Sequence, residues 1–156
     1  MIRDAQLILC EQESIAGTAG SSKISTNVIN FGQVQDCVGA LQNDRINVSN
    51  RLLLNVVVEG EALVAAVDGC VVTLELYNDT DEVPTAGGDV IITKAITVNV
   101  SGVPIGTQLA SIALPFGQLK PFIGLKASIT AQNLSTGKIS AWIGTEMQQG
   151  GKIGQL

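Results

Sequence analysis

The chain contains no histidine, and only 3% of its 156 residues are aromatic. Without histidine there can be no Ser-His-Asp or Cys-His catalysis, and both the usual general base near neutral pH and a common transition-metal ligand are missing. No nucleophile elbow, complete phosphate loop or dinucleotide-binding glycine motif occurs either; Gly137-Lys138 lacks the upstream glycine and the following Ser or Thr of a phosphate loop. The sequence therefore predicts a protein that is not an enzyme and that holds no cofactor.

Charge is also scarce. Charged residues make up 15% of the chain, against about 25% in an average soluble domain, while hydrophobic residues make up 46%. The net charge is −5, and the nine Lys and Arg residues are scattered singly. Phosphate backbones are bound by clustered cations, so nucleic acid is not an expected partner. So few charges also predict that part of the surface is covered by an assembly partner.

Long apolar runs are absent, since no stretch reaches the roughly 18 residues that a membrane helix requires. The start Met1-Ile2-Arg3-Asp4 has an early acidic residue and no signal-peptide pattern, so we expect synthesis in a cytoplasm and no membrane partner. The three cysteines, Cys10, Cys37 and Cys70, fit neither a CxxC pair nor a zinc module, and are expected to be reduced, buried thiols.

Acidic residues form two small groups with alternative interpretations. Asp79, Asp81 and Glu82 have the oxygen ligands of a calcium site but lack the rest of the twelve-residue calcium pattern, so a solvated turn is favoured. An enzyme with a metal-carboxylate site built from Asp79, Asp81 or Glu146 is the weakest of the alternatives. Glu59 and Glu61 are two apart at a strand end with no evident cleft, which favours solvated charges over a glycosidase pair.

Asn-x-Ser/Thr triplets begin at Asn47, Asn78, Asn99 and Asn133, and are expected to be ordinary turn and strand residues.

Alternation with a period of two residues predicts strands along most of the chain. It is clearest over residues 72–77, 123–131 and 139–144, with the polar segment 133–137 between the last two predicting a hairpin. Further β-branched runs cover residues 27–31, 51–58, 90–100 and 108–114, and the run 51–58 is apolar on both faces, as in a central strand. Only residues 36–42 suggest a short helical turn. Seven or eight such strands predict a sandwich or barrel.

The two ends of the chain differ from its middle. Residues 1–24 combine an apolar stretch with a Gly-rich polar segment, and residues 145–156 contain Gly150-Gly151 and a single lysine. We therefore predict an N-terminal arm over 1–24, a β-sandwich over 25–144 and a C-terminal tail over 145–156.

Several segments resemble, in order along the chain, the jelly-roll capsid cement (decoration) proteins of tailed bacteriophages. The most specific is Ser25-Thr26-Asn27-Val28-Ile29-Asn30-Phe31-Gly32, with Asn30 where that family usually has Asp. The others are Asp4-Ala5-Gln6, Leu114-Pro115, Pro121-Phe122-Ile123-Gly124-Leu125 and the stretch 138–144.

The resemblance implies an all-β jelly roll of about eight antiparallel strands with extended N- and C-terminal arms. It also implies a structural virion protein, made in the host cytoplasm, that binds the outer capsid surface and cements neighbouring major capsid protein subunits. The other expected partner is the chain itself, as a dimer or trimer. Residues 1–15 and 145–156, together with exposed strand edges, are expected to make these contacts. The candidate contact residues are Ile2, Arg3, Asp4, Gln6, Leu7, Met147, Gln148 and Ile153.

A second functional class is a receptor- or carbohydrate-binding β-sandwich module of a head fibre or adhesin. Such a module needs a concave site with clustered aromatic rings, and the chain offers Trp142, Tyr77 and three phenylalanines. Trp142 is more simply interpreted as a packing anchor.

Overall fold

The computed structural model describes residues 7–30, 52–81, 88–114 and 120–144. These residues are all-β and form antiparallel sheets without an α-helix. Their eleven strands are β1 (Ile8–Ser14), β2 (Ser22–Ile24), β3 (Ile29–Asn30), β4 (Leu53–Val58), β5 (Val64–Ala65), β6 (Cys70–Asp79), β7 (Asp89–Val98), β8 (Gln108–Ala113), β9 (Phe122–Thr130), β10 (Leu134–Thr136) and β11 (Lys138–Gly144). No helix among the described residues is long and apolar enough to span a membrane.

Two main sheets pack face to face as a β-sandwich. The first sheet has the order β1-β11-β4-β8. The second has the order β2-β9-β6-β7, and β3 also pairs with β9. The short strands β5 and β10 pair with each other in a small separate sheet.

Alternating apolar residues account for the contact between the sheets. On β6, Val72, Leu74 and Leu76 are buried in the core, while Thr73 and Glu75 on the other face are half-buried. The same period buries alternate residues of β9 and β11: Ile123, Leu125, Ala127, Ile129, Ile139, Ala141 and Ile143. The predicted core faces of these three strands are therefore confirmed, except at Ala131, which is exposed directly after β9.

The strand β4 is central and covered on both sides, as its continuous apolar run predicts. Leu54, Val56 and Val58 lie in the core, and the outward-facing Asn55 is also fully buried. Its amide Nδ2 donates to the carbonyl of Leu53 at 3.3 Å, and its Oδ1 accepts a hydrogen bond from Ser111 Oγ at 3.3 Å. These bonds offset the cost of burying a polar side chain in this sheet.

The predicted hairpin between residues 123–131 and 139–144 is wrong. β9 pairs with β2, β3 and β6 in one sheet, whereas β11 pairs with β1 and β4 in the other. The segment between them contains β10, which pairs with β5 and crosses from one sheet to the other. Each sheet must cover the other's apolar face, and this requirement separates strands that are adjacent in sequence.

The predicted N-terminal arm is partly strand. In its described part, β1 pairs with β11 and β2 pairs with β9, so residues 8–24 contribute to both sheets. Leu9, Cys10 and Ile15 are buried in the core. Four predicted features lie outside the described residues. They are the remainder of that arm, the helical turn over 36–42, Cys37 and the tail over 145–156.

Candidate functional site

Four connecting segments lie at one end of the sandwich, here called the loop end. They join β1 to β2 (residues 15–21), β4 to β6 (59–69), β7 to β8 (99–107) and β9 to β11 (131–137). Antiparallel pairing places all four segments at the same end. Four strands end there, namely β1, β4, β7 and β9, and four begin there, namely β2, β6, β8 and β11.

Hydrogen bonds join the first, second and fourth segments into one surface. Gly17 and Leu134 exchange backbone hydrogen bonds of 3.0 and 2.9 Å. Asn133 connects three segments: its Oδ1 accepts from Ala19 N at 2.8 Å, and its carbonyl accepts from Ala66 N at 3.0 Å. Asn133 directly precedes β10, so the predicted polar turn over 133–137 contains a short strand.

The third segment is attached in the same way. Leu63 and Val103 exchange backbone hydrogen bonds of 3.0 and 2.7 Å. Asp68 Oδ1 accepts from Val100 N at 2.8 Å, and Asn99 Oδ1 accepts from Gly69 N at 3.2 Å. The loop end is therefore a preformed surface whose segments hold one another in place.

The chemistry of this surface is apolar and mildly acidic. Val67, Val100 and Ile105 are among the most exposed large hydrophobic residues described, at 55%, 54% and 59%. The four segments contain three acidic residues, Glu59, Glu61 and Asp68, and no lysine or arginine. Lys138, the first residue of β11, adjoins them and forms backbone hydrogen bonds with Glu59 and Glu61, both of 3.1 Å. The scarcity of charge predicted a covered surface, and three of the five exposed large hydrophobic residues that the structure describes lie at this one end.

Sequence reasoning did not find these three aliphatic residues. Val67 ends the apolar run 62–67 and Val100 ends the predicted strand run 90–100, so neither is recognisable from the sequence as an exposed loop residue, and Ile105 stands alone between Pro104 and Gly106. The one signal in the sequence is that three of the four segments, 15–21, 99–107 and 131–137, lack any charged residue.

Leu7 is the one predicted contact residue that the structure describes. It is half-buried and packs against the hydrophobic core directly before β1. The other seven candidate contact residues lie outside the described residues: Ile2, Arg3, Asp4, Gln6, Met147, Gln148 and Ile153. Leu7 precedes β1 and Gly144 ends β11, which places both at the end of the sandwich opposite the loop end. The predicted contact residues and the loop end therefore do not form one described site.

No protein-family model matches this chain, and no curated protein matches it significantly.

Of the aromatic rings considered for carbohydrate binding, Tyr77 and Trp142 are enclosed and Phe122 is half-buried, while Phe31 and Phe116 lie outside the described residues. Tyr77 and Trp142 are only 5% and 3% exposed. Trp142 lies on β11 between Ile8 of β1 and Asn55 of β4, which agrees with a packing role. Lys126 lies above the Tyr77 ring, with its Nζ 5.7 Å from the ring centroid. The pKa of Lys126 is raised, mainly by Tyr77 and to a lesser degree by Glu75. The Oε2 atom of Glu75 lies 3.6 Å from the Lys126 ammonium.

Two of the three acidic residues near residue 80, Asp79 and Asp81, are described, and they lie where β6 ends. Asp79 is buried, and its Oδ1 accepts hydrogen bonds from the backbone N–H groups of Thr80 at 2.6 Å and Asp81 at 3.3 Å. Glu82 and Glu146 lie outside the described residues. Within 7–30, 52–81, 88–114 and 120–144, no three carboxylate or thiol side chains are grouped as metal ligands. The Asp79 carboxylate therefore satisfies the two backbone N–H groups that follow β6.

Two of the three cysteines are described, and both are buried free thiols. Burial, reinforced by the nearby Glu13 carboxylate, raises the pKa of the Cys10 thiol to about 12. Burial also raises the pKa of Cys70. The expectation of reduced, packed thiols is confirmed for these two residues, and their raised pKa values make them poor nucleophiles.

Proposed function

We propose that this chain is a structural virion protein that binds the outer surface of a bacteriophage capsid and cements neighbouring major capsid protein subunits. Its partners are then the major capsid protein and further copies of the chain itself. The observation that carries the proposal is the nesting of the antiparallel strand pairs.

Four pairs form the sandwich, and they lie inside one another along the sequence: β1 with β11, β2 with β9, β4 with β8, and β6 with β7. Such nesting describes a long antiparallel ribbon folded over on itself, the topology of a double-sheet jelly roll. Eight of the eleven strands make up the two main sheets when β2 and β3 are counted as one strand and the small β5–β10 sheet is left out. This order supports the jelly-roll assignment that the sequence resemblance implies.

The surface chemistry supports an assembly role. A soluble monomer has little reason to hold exposed aliphatic side chains on loops that are fixed by hydrogen bonds, because exposed apolar patches mark interaction surfaces. A shell subunit that stays bound has such a reason. Binding at several places on a shell would also strengthen attachment, because the second contact is effectively intramolecular.

The direct test is to image particles of the phage that encodes the chain, with and without its gene. We expect an outer layer of density on wild-type capsids that is missing from the deletion particles. We also expect the deletion particles to open at a lower temperature, because a bound partner stabilises the shell by mass action. Identical particles from both genotypes would contradict the proposal.

A further inference from the structure

We propose that the Asp68–Gly69 peptide is a site of spontaneous aspartate isomerisation, and that hydrogen bonds to Asn99 and Val100 slow this reaction in the folded chain. The product is isoaspartate, in which the main chain continues through the side-chain carboxyl group of residue 68. This inference concerns a chemical modification of the chain itself and does not depend on the proposed function.

The sequence singles out Asp68 for this reaction. It is the only Asp or Asn in the chain that is followed by glycine. Isomerisation begins when the backbone nitrogen of the next residue attacks the aspartate Cγ, and a side chain on that next residue obstructs the approach. Glycine has no Cβ, so Gly69 N is the least hindered nitrogen that follows an Asp or Asn in this chain. The other six aspartates all precede residues that carry a Cβ.

The reaction releases and takes up one water molecule and needs no other reagent. A bond forms between Gly69 N and Asp68 Cγ, while the nitrogen loses its proton and a Cγ–O bond of the protonated carboxyl group breaks. Water leaves and a succinimide ring is closed. A second water molecule then opens the ring at either carbonyl. One opening restores aspartate, and the other gives isoaspartate with the same mass as the original chain.

Burial does not protect the reacting groups. Asp68 is exposed and Gly69 is half-buried, so water reaches both residues. The space beside Gly69 is also open, because a Cβ at this position would meet nothing within 4 Å. Any protection in the folded chain must therefore come from hydrogen bonds that restrain the two groups.

Two such bonds connect residues 68 and 69 to the segment that follows β7. Asp68 Oδ1 accepts a hydrogen bond from Val100 N at 2.8 Å, which fixes the carboxyl group. Gly69 N donates to Asn99 Oδ1 at 3.2 Å, which engages the proton that this nitrogen has to lose. Attack requires the nitrogen and Cγ to reach a reactive geometry, and both bonds oppose the movement. The folded chain is therefore expected to isomerise more slowly than the unfolded chain.

Isomerisation would in turn loosen the loop end. Isoaspartate adds a methylene group to the main chain and moves the free carboxylate, so Val100 N loses its acceptor. The segment 99–107 would then depend more on the backbone bonds between Leu63 and Val103. Amide hydrogen exchange at Val100 is expected to be faster in the isoaspartate form, and equal exchange in the two forms would overturn this consequence.

The test follows the uptake of heavy oxygen from labelled water, because each passage through the succinimide leaves one solvent oxygen in the carboxylate of residue 68. The full-length chain is incubated folded and in urea, and the peptide that contains residue 68 is analysed by mass spectrometry. Chromatography separates its aspartate and isoaspartate forms. We expect uptake to be at least about tenfold slower in the folded chain, because two hydrogen bonds have to break.

Two matched variants test the role of Asn99. Asn99→Ala removes the acceptor for Gly69 N and should speed uptake in the folded chain about fivefold. Asn133→Ala is the control, since it removes a similar acceptor at the same end, for Ala19 N at 2.8 Å, and should leave the rate at residue 68 unchanged. Thermal unfolding checks that both variants fold. If Asn99→Ala unfolds, Asn99→Leu replaces it, because leucine has a similar shape and no acceptor.

The outcomes separate the site from its protection. An unfolded chain with neither heavy oxygen nor isoaspartate at residue 68 would overturn the site itself. Equal rates in the folded and unfolded chains would overturn the protection. Equal rates in the folded wild type and Asn99→Ala, or equal acceleration by Asn133→Ala, would overturn the role assigned to Asn99.

Discussion

Gly102 and Gly106 belong to the same loop-end segment and have similar backbone angles, with φ of +76° and +88°. They differ in their surroundings. A Cβ on Gly102 would lie 2.9 Å from the carbonyl oxygen of Leu63 and 3.1 Å from Val64 Cγ2, whereas a Cβ on Gly106 would meet nothing within 4 Å. Backbone conformation requires glycine at both positions, but close approach of a second segment does so only at Gly102.

Replacing each glycine by alanine separates these two effects. Gly106→Ala is expected to lower the free energy of unfolding by about 1–2 kcal/mol, because a Cβ disfavours positive φ. Gly102→Ala is expected to cost about 1–3 kcal/mol more, because the Leu63 carbonyl is backbone and must move. Urea unfolding measures both values. Equal losses at the two positions would mean that the Gly102–Leu63 approach is not tight.

The Cys10 thiol links stability to pH. Its Sγ lies 3.8 Å from the carbonyl oxygen of Ile139, and its pKa is about 12 in the folded chain against 9.0 in the unfolded chain. A pKa raised by folding stabilises the folded state below the unfolded value, and this contribution is lost as pH rises from about 9 toward 12.

We therefore expect Cys10→Ala to flatten the alkaline loss of stability. Between pH 8 and pH 10 the wild-type chain should lose about 1 kcal/mol more than the variant, since each unit of pKa difference corresponds to about 1.4 kcal/mol. Chemical unfolding at both pH values measures the difference. Ile15→Val, a neighbouring core change with no titrating group, serves as the control and should keep the wild-type slope. Parallel pH profiles for wild type and Cys10→Ala would exclude the linkage.

Among the strands, β7 presents a long sheet edge. It has ten residues, pairs with β6 along its length and carries exposed Val90 and Thr93. Such an edge is a template for pairing with another chain. Lys94 pairs with the core residue Leu74 and therefore stands on the core-facing side of this edge strand, where it is exposed. A charge in this position is a known device against edge-to-edge association.

Removing that charge should allow the β7 edge to pair with another copy of the chain. With Lys94→Ile, β7 becomes a nearly continuous apolar, β-branched segment, and we expect concentration-dependent dimers or aggregates. Lys94→Arg keeps the charge and should behave as wild type. Analytical ultracentrifugation over a concentration series distinguishes the two variants. A Lys94→Ile protein that sediments as wild type at every concentration would show that another feature protects the edge.

In the molecule as a whole, the sandwich separates two surfaces. Since β6 has ten residues at about 3.3 Å each, its ends are about 30 Å apart. The loop end lies at one of these ends, and Leu7 and Gly144, which lead to the predicted arms, lie at the other. A chain that bound partners through both the loop end and the arm end would contact them at two well-separated surfaces.

Truncation distinguishes arm residues from fold residues. Deleting residues 1–6 removes no described strand, so we expect an unchanged melting temperature. Deleting residues 1–12 removes most of β1 together with the buried Leu9 and Cys10, and should cost at least about 3 kcal/mol. Thermal unfolding compares the two proteins. If both melt as wild type, β1 contributes little to the fold; otherwise only the shorter deletion is suitable for testing arm contacts on shells.

The order of amino acids is enough to specify the class of fold and the core faces of the main strands. A period of two residues is a local property, so Val72, Leu125 and Ile139 are recognisable as inward residues whatever strands they pair with. The absence of histidine and the scarcity of charge are properties of composition, and they limit the chemistry that the chain can perform in any fold.

Strand pairing and the position of the unusual surface depend instead on tertiary structure. Pairing must cover two apolar faces at once, so β9 and β11 belong to different sheets although they are neighbours in sequence. The loop end likewise joins Val67, Val100 and Ile105 from two segments that only the antiparallel fold brings to one end. A lack of charge can be counted along a sequence, but its concentration on one surface is a property of the folded chain.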